Sequence, residues 1–269
     1  MGHGIAHAAA AAGYDAKLFD VSPEALEKGR AAIEDVVRGG VERDKVTPAE
    51  AEATLRRLST TSDLAQALVD ADFIIEAAPE RIDVKIGVFA DIERLAPAHA
   101  VVASNTSALS LTEMAATLAN PSRVAGMHFF NPVHKMKLIE VVQALETAPA
   151  TLDAVREVAT RMGKETVLVR ESPGFITTRV NASIGNEAFY MLMEGVASAR
   201  DIDKALKLGL NHPMGPFELV DLVGLDTRLS ILEYLHRSMG EKYRPCPLLV
   251  QYVKAGRLGR KVGRGVYDY

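Results

Sequence analysis

The sequence predicts an α/β domain followed by an all-α domain, on three observations. Up to about Arg170, short apolar runs alternate with charged helical stretches in the βαβ manner. At Ser172-Pro173-Gly174 the alternation stops, and beyond it the periodic stretches carry a helical repeat with almost no strand signal. A 48% hydrophobic and 25% charged composition over 269 residues is enough to fill the cores of two ordinary domains. The boundary therefore falls at 172, giving domains of residues 1–172 and 173–269.

In order along the chain, Gly4 to Ala12 reads as a small-residue helix and Asp15 to Asp20 as a short strand ending in an acid. Charged helical stretches run from Pro23 to about Arg38 and from Pro48 to Leu58. Asp72 to Ala78 is a buried strand, Val84 to Leu95 a helix and Ala100 to Ser104 a strand, and Ser110-Leu-Thr-Glu113 has the form of a capping box. Strands around His128 and Glu140, a helix from Thr151 to Met162 and a strand from Thr166 to Arg170 close the first domain. The second domain reads as helices at Ala182 to Gly195, Ala199 to Lys207, Pro216 to Val223, Asp226 to Ser238 and Pro247 to Ala255.

A net charge of −4 argues against a general nucleic-acid binder. Charges interrupt every apolar run short of membrane-spanning length, so no membrane partner is expected. The first residues lack the basic and leucine-rich regions of a signal peptide. Cys246 is the lone cysteine, which rules out an intrachain disulfide, and with no His/Asp/Glu spacing that matches a ligand set no metal is expected. A reducing, cytoplasmic location follows as the expectation.

The most informative segment runs from Gly126 to Glu140. His128 ends an apolar run from Val124, and Glu140 lies within a second run, Met136 to Val142, twelve positions on, with Asn131-Pro132 between them. An even separation about a central turn sets two side chains opposite one another across a strand pair. A carboxylate facing an imidazole fixes its tautomer, as a general base requires. Spacing alone leaves a second reading open, a satisfied core histidine with a buried acid as its partner.

Gly2-x-Gly4 opens the first helix, and Asp20 ends the next strand at the interval of a dinucleotide fingerprint: glycines beside a pyrophosphate, an acid on the ribose. That fingerprint follows a strand, and none precedes Met1 here. In a doubly wound sheet this strand is central, and without it the edges of its two neighbours are exposed. The expectation is that Met1 is an internal methionine of a protein with roughly ten more residues; a truncated form with a damaged cradle is the alternative.

Together, the His128–Val142 segment, Ser104-Asn-Thr-Ser107 before it, Pro173-Gly-Phe175 after it, His212-Pro-Met-Gly-Pro-Phe-Glu-Leu219 with Val223-Gly-Leu-Asp226, and the terminal Gly259–Tyr267 resemble the 3-hydroxyacyl-CoA dehydrogenase family, in collinear order over essentially the whole chain. The short 3-hydroxybutyryl-CoA enzymes look nearest. The resemblance implies a Rossmann-type doubly wound sheet that binds NAD, a helical domain through which subunits dimerise, and reversible oxidation of a 3-hydroxyacyl-CoA. It implies His128 as base, Glu140 as its orienting partner and Ser107 as the serine on the substrate oxygen. Asp20 would hold the adenosine ribose, with Gly2, Gly4 and Asn105 also on the cofactor side and Glu80 and Lys85 near the nicotinamide. No arginine follows Asp20 to receive a 2′-phosphate, which favours NAD over NADP.

The family commonly carries an asparagine on the substrate carbonyl where Thr178 stands here, and a hydroxyl has a shorter reach and fewer donors than an amide. Arg38, Arg43 and Lys45 lie where the family approaches CoA, and a solvated helical face explains each equally well. Two other functions are weighed. One is a dehydrogenase of free carboxylates, whose branches tend to place proline after the catalytic histidine where Phe129 stands. The other is a non-catalytic binding protein on the same fold, because the cofactor cradle is incomplete.

Overall fold

A computed structural model describes residues Met1–Tyr269, and the chain divides into two compact units, Met1–Glu171 and Ser172–Tyr269. The first unit begins with α1 (Gly2–Ala11), β1 (Ala16–Phe19), α2 (Pro23–Val41), α3 (Pro48–Arg56), β2 (Leu58–Thr61), α4 (Leu64–Leu68), β3 (Phe73–Glu76), α5 (Ile82–Leu95) and β4 (Val101–Ser104). It continues with α6 (Leu111–Ala115), β5 (Val124–Phe129), β6 (Leu138–Gln143), α7 (Pro149–Arg161) and β7 (Glu165–Arg170).

Local chemistry sets most of these boundaries. Ser22 accepts the Ala25 N–H at the head of α2, with proline in its first turn. Thr47 and Glu50 form a reciprocal capping box on α3. The box expected at Ser110 is only half made: its oxygen accepts Glu113 N–H, while its hydroxyl donates to Glu171 at 2.6 Å. β2 and α4 are additions to the sequence reading. β2 is Leu-Ser-Thr-Thr with only Leu58 buried, too short and polar for alternation to reveal it.

The strands form two sheets, β1-β2 and β3-β4-β5-β6-β7. All pairs are parallel except β5 with β6. The end strands β1, β2, β3 and β7 each keep one edge unpaired. One face of the larger sheet packs Met127, Phe129, Ile139 and Val141 against Val155 and Ala159 of α7 and Ile5 of α1. Period-two alternation therefore sends Gly126, His128, Glu140 and Val142 to the other face.

Gly126 is required there. A Cβ added to it would lie 2.6 Å from Val142 Cβ and 2.7 Å from Leu111 Cδ1, a clash against side chains that are themselves fully buried. Gly126→Ala is therefore expected to destabilise the protein by about 1–3 kcal/mol through overpacking. An unchanged urea midpoint for this variant would show that the β5–β6–α6 contact is looser than it stands here.

The second unit holds α8 (Thr177–Met193), α9 (Ala199–Gly209), α10 (Pro216–Val223), α11 (Leu225–Met239) and α12 (Pro247–Lys254). α8 starts five residues before the expected Ala182, because its opening Thr177-Thr178 is β-branched and reads poorly as helix. The core joins Phe189, Phe217, Leu225, Leu232, Leu235 and Leu249, with the two phenyl rings edge to face at 5.2 Å. Each such side chain contributes roughly 1.5–3 kcal/mol by burial.

The C-terminal segment is tied down by two buried acids. Asp221 accepts the N–H groups of Val266 and Tyr267 at 2.8 and 2.9 Å, and Asp203 accepts Tyr267 Oη–H at 2.7 Å. Burial raises the pKa of Asp203 and, together with its hydrogen bond to that acid, raises that of the Tyr267 phenol.

Candidate active site

The register of the larger sheet builds the site. Glu76 on β3, Ser104 on β4 and Gly126 on β5 lie side by side at the carboxyl ends of three parallel strands. Chain leaving β3 and β4 carries Glu80 and Ser107, and His128 lies two residues beyond Gly126, still within β5. In open α/β sheets, ligands bind at this end.

His128 and Glu140 are direct cross-strand partners in the antiparallel β5–β6 pair. His128 Nδ1 and Glu140 Oε2 are 2.7 Å apart, with Glu140 wholly buried and His128 only 7% exposed. A short contact between two groups withdrawn from water is a charge-assisted hydrogen bond, about twice as strong as a neutral one. The Phe130 ring lies 4.6 Å from the imidazole, tilted by 46°. Asn105, expected on the cofactor side, braces this strand end: its Oδ1 accepts the Phe129 N–H at 2.8 Å.

Glu80 organises the loop after β4. Its Oε1 accepts Thr106 Oγ1–H at 2.8 Å, Ser107 N–H at 2.7 Å and Ser107 Oγ–H at 2.9 Å, and it also receives Ala108 N–H. Ser107 is thereby positioned by an acid while remaining only half-buried. Lys85 is 1% exposed, and its amine donates to both Glu76 oxygens at 2.8 and 3.0 Å and to Ala78 O at 3.1 Å. It lies 3.5 Å from Glu80 Oε2. Its donors are thus occupied within the protein, and it acts on the site by holding Glu76 and Glu80.

Glu76, Ser104 and Thr106 were not singled out from the sequence, yet they complete this network. Ser104 Oγ donates to Glu76 at 2.5 Å and accepts Thr106 N–H at 3.1 Å. An acid inside the Phe-Ile-Ile-Glu strand, with a lysine nine positions on in an apolar helix, was the available signal.

On the expected cofactor side, Gly2 and Gly4 lie in the first turn of α1, which has no side-chain cap; the Gly4 N–H donates to Met1 O at 2.9 Å, so an anion there would meet the N–H groups of Gly2 and His3. A Cβ on Gly4 would meet Val133 at 3.1 Å, so glycine is needed there for packing as well. Asp20 directly follows β1 and accepts Ser22 N–H through Oδ1 alone, leaving Oδ2 for ribose hydroxyls. These residues fit the adenosine and phosphate half of a dinucleotide.

Thr178 lies in the first turn of α8 in the second unit. Of the three basic residues expected on CoA, Arg38 is engaged with Asp35, while Arg43 folds over Gly39 and, like Lys45, makes no ion pair. No group of three His, Cys, Asp or Glu side chains is placed to hold a metal ion, and no helix is long and apolar enough to cross a membrane.

A dinucleotide-type sheet with a buried histidine–carboxylate pair at its carboxyl end, joined to a helical unit, defines a two-domain dehydrogenase. The family comparison makes this specific: residues 1–172 match the NAD binding domain of 3-hydroxyacyl-CoA dehydrogenase and residues 174–269 its C-terminal domain, and the chain belongs to that family. It is 48% identical to a probable 3-hydroxybutyryl-CoA dehydrogenase of Bacillus subtilis, over all of this chain and 94% of that protein. It is 42% identical to the 3-hydroxyadipyl-CoA dehydrogenase of Escherichia coli, over 57% of that longer protein. The crystal structure of the (S)-3-hydroxybutyryl-CoA dehydrogenase of Ralstonia eutropha superposes with a TM-score of 0.96 at 40% identity, covering 100% of this chain and 95% of that one.

Proposed function

We propose that this protein interconverts (S)-3-hydroxybutyryl-CoA and acetoacetyl-CoA with NAD. The observation that carries the chemistry is the buried 2.7 Å His128–Glu140 pair. When bound, NAD supplies the hydride acceptor at the nicotinamide. With Nδ1 engaged by Glu140, proton exchange with the substrate falls to Nε2 of His128. In the oxidative direction the C3 hydroxyl proton passes to that nitrogen, the C3–H electron pair departs as hydride, and a C3 carbonyl forms. Glu140 stabilises the positive charge that the imidazole then carries, and a buried carboxylate does so without reorganising.

Ser107, held by Glu80, donates to the substrate oxygen as charge develops on it. Ser107→Ala is expected to lower kcat by roughly 10²-fold, the usual consequence of losing one preorganised donor. An unchanged kcat would show that this oxygen is held by other groups.

The direct test is loss of NADH with acetoacetyl-CoA, with free acetoacetate and 3-oxoadipyl-CoA as comparisons. Turnover of free acetoacetate alone would favour the carboxylate-substrate reading, and NADH binding without turnover of any of them would favour the non-catalytic one. The arrangement of the site disfavours that last reading, because a buried charge pair at the strand ends is costly to keep for packing alone.

The protein works as a homodimer through its helical unit. Supporting this, Ile176 and Val180 at the start of α8 and Leu222 and Val223 at the end of α10 are exposed by 49%, 55%, 50% and 41%. Light scattering on the eluting protein reads the assembly directly. The setting is the cytoplasm, consistent with one buried thiol and no disulfide.

A further inference from the structure

The helical unit buries a charge that the reaction does not use. Arg228 closes the first turn of α11, its N–H donating to Gly224 O at 3.0 Å, and the residue is only 2% exposed. Gly185 of α8 makes the slot in which its side chain lies. A Cβ there would stand 3.8 Å from Arg228 Nε and 3.1 Å from Val220 Cγ2 of α10. The arginine is thus packed among three helices.

Within its own chain this charge is not answered. Nε is closed off with no hydrogen-bond partner, and burial is the one influence on the pKa, which it lowers to about 10. The group is therefore a cation at neutral pH with no carboxylate beside it. The two nearest acids in sequence are committed elsewhere. Asp226 takes Lys261 on both oxygens at 2.7 and 2.6 Å, and Asp221 takes the N–H groups of Val266 and Tyr267. The start of a helix is also the unfavourable end for a positive charge. A cation buried this way is costly until acceptors reach it, and the planar Nη fork suits a carboxylate or paired carbonyls.

The surroundings point to a second copy of the chain as the source of those acceptors. The two helices that enclose the slot with α11 expose Val180 on α8 and Leu222 and Val223 on α10. An apolar surround with an arginine at its centre is how subunit contacts are built. The same helical unit exposes Glu187 on α8 and Glu233 on α11, outside every ion pair of the chain. It therefore offers unmatched carboxylates as well as an unmatched guanidinium, the complementarity that a twofold contact between identical surfaces needs.

We propose that Arg228 is the polar centre of the contact between two copies of this chain, its Nη fork receiving acceptors from the second copy. By symmetry each copy gives and receives the same bonds. The proposal deepens the homodimer reading above and rests on it.

Sedimentation and light scattering of the full chain over a dilution series test it, with Arg228→Met, which keeps the length and loses charge and fork. The dissociation constant is expected to rise by about 30-fold, the loss that marks a hot-spot residue. Urea midpoints measured at high dilution should be no lower in the variant, because an uncompensated buried charge has been removed. In the native chain the midpoint should rise with protein concentration, and in the variant this rise should weaken. Arg228→Lys, which keeps the charge and loses the fork, repeats the comparison should the methionine variant not fold. Association as tight in the variants as in the native chain overturns the proposal. A midpoint lowered at high dilution with association unchanged gives Arg228 a role inside its own chain and also overturns it. So does a midpoint raised by chloride or phosphate in the native chain alone, with assembly unaffected, which assigns a small anion to the fork. A native chain that stays monomeric removes the homodimer reading itself, and the proposal with it.

Discussion

His128→Gln is expected to lower turnover of acetoacetyl-CoA by roughly 10²- to 10⁴-fold while NADH still binds, the range a positioned general acid–base contributes. Glutamine keeps a hydrogen-bonding group near the imidazole position but cannot exchange a proton at neutral pH. The residues proposed for the cofactor half, Gly2, Gly4 and Asp20, lie on elements other than β5, so NADH affinity should survive. Glu140→Gln keeps the shape of its partner and removes the charge, and an amide can present its nitrogen to Nδ1 and so select the wrong tautomer. That variant should also lose turnover heavily. Because the pair acts as a unit, the double variant should be little worse than His128→Gln alone. Additive losses in the double variant would mean that Glu140 acts on something other than His128. Near-normal turnover in His128→Gln would remove it from the proton-transfer role altogether.

How far the site was legible in the sequence follows from how local its determinants are. The His128–Glu140 pairing could be read because an antiparallel pair with a central turn converts an even separation into direct opposition, and β5 and β6 place the two residues in register. The placement of Asp20 and of the first-turn glycines could be read for the same reason, each tied to the end of one short element. Glu80 and Lys85 were expected beside the cofactor. The Glu80–Ser107 and Glu76–Ser104 contacts depend on the alignment of β3 with β4, between residues 27 and 28 apart in sequence, which no local pattern encodes. β2 escaped because a four-residue strand with one buried side chain has no periodicity to read.

The Glu76–Lys85 pair should dominate the stability of the first unit among single polar substitutions. Both side chains are 1% exposed, and the amine has two carboxylate oxygens and the Ala78 carbonyl within 3.1 Å. Removing one member of such a pair leaves the other as an uncompensated buried charge, at about 3–5 kcal/mol. Lys85→Met, which keeps length and volume, is expected to lose that much in urea denaturation, because Glu76 retains only the Ser104 and Ala78 donors. Glu76→Leu should cost more than Lys85→Met. It strands the ammonium and also frees Ser104, whose oxygen anchors Thr106 N–H in the loop that carries Ser107. The double replacement Glu76→Leu/Lys85→Met removes both charges and should recover much of the stability, since an apolar pair of similar volume is often no worse than a buried ion pair. It should not recover turnover, because Glu80 and the Ser107 loop lose the groups that hold them. Single variants that each cost less than about 1 kcal/mol would show the pair to be hydrated in solution. Full activity in the stable double variant would show that Ser107 is positioned by Glu80 alone.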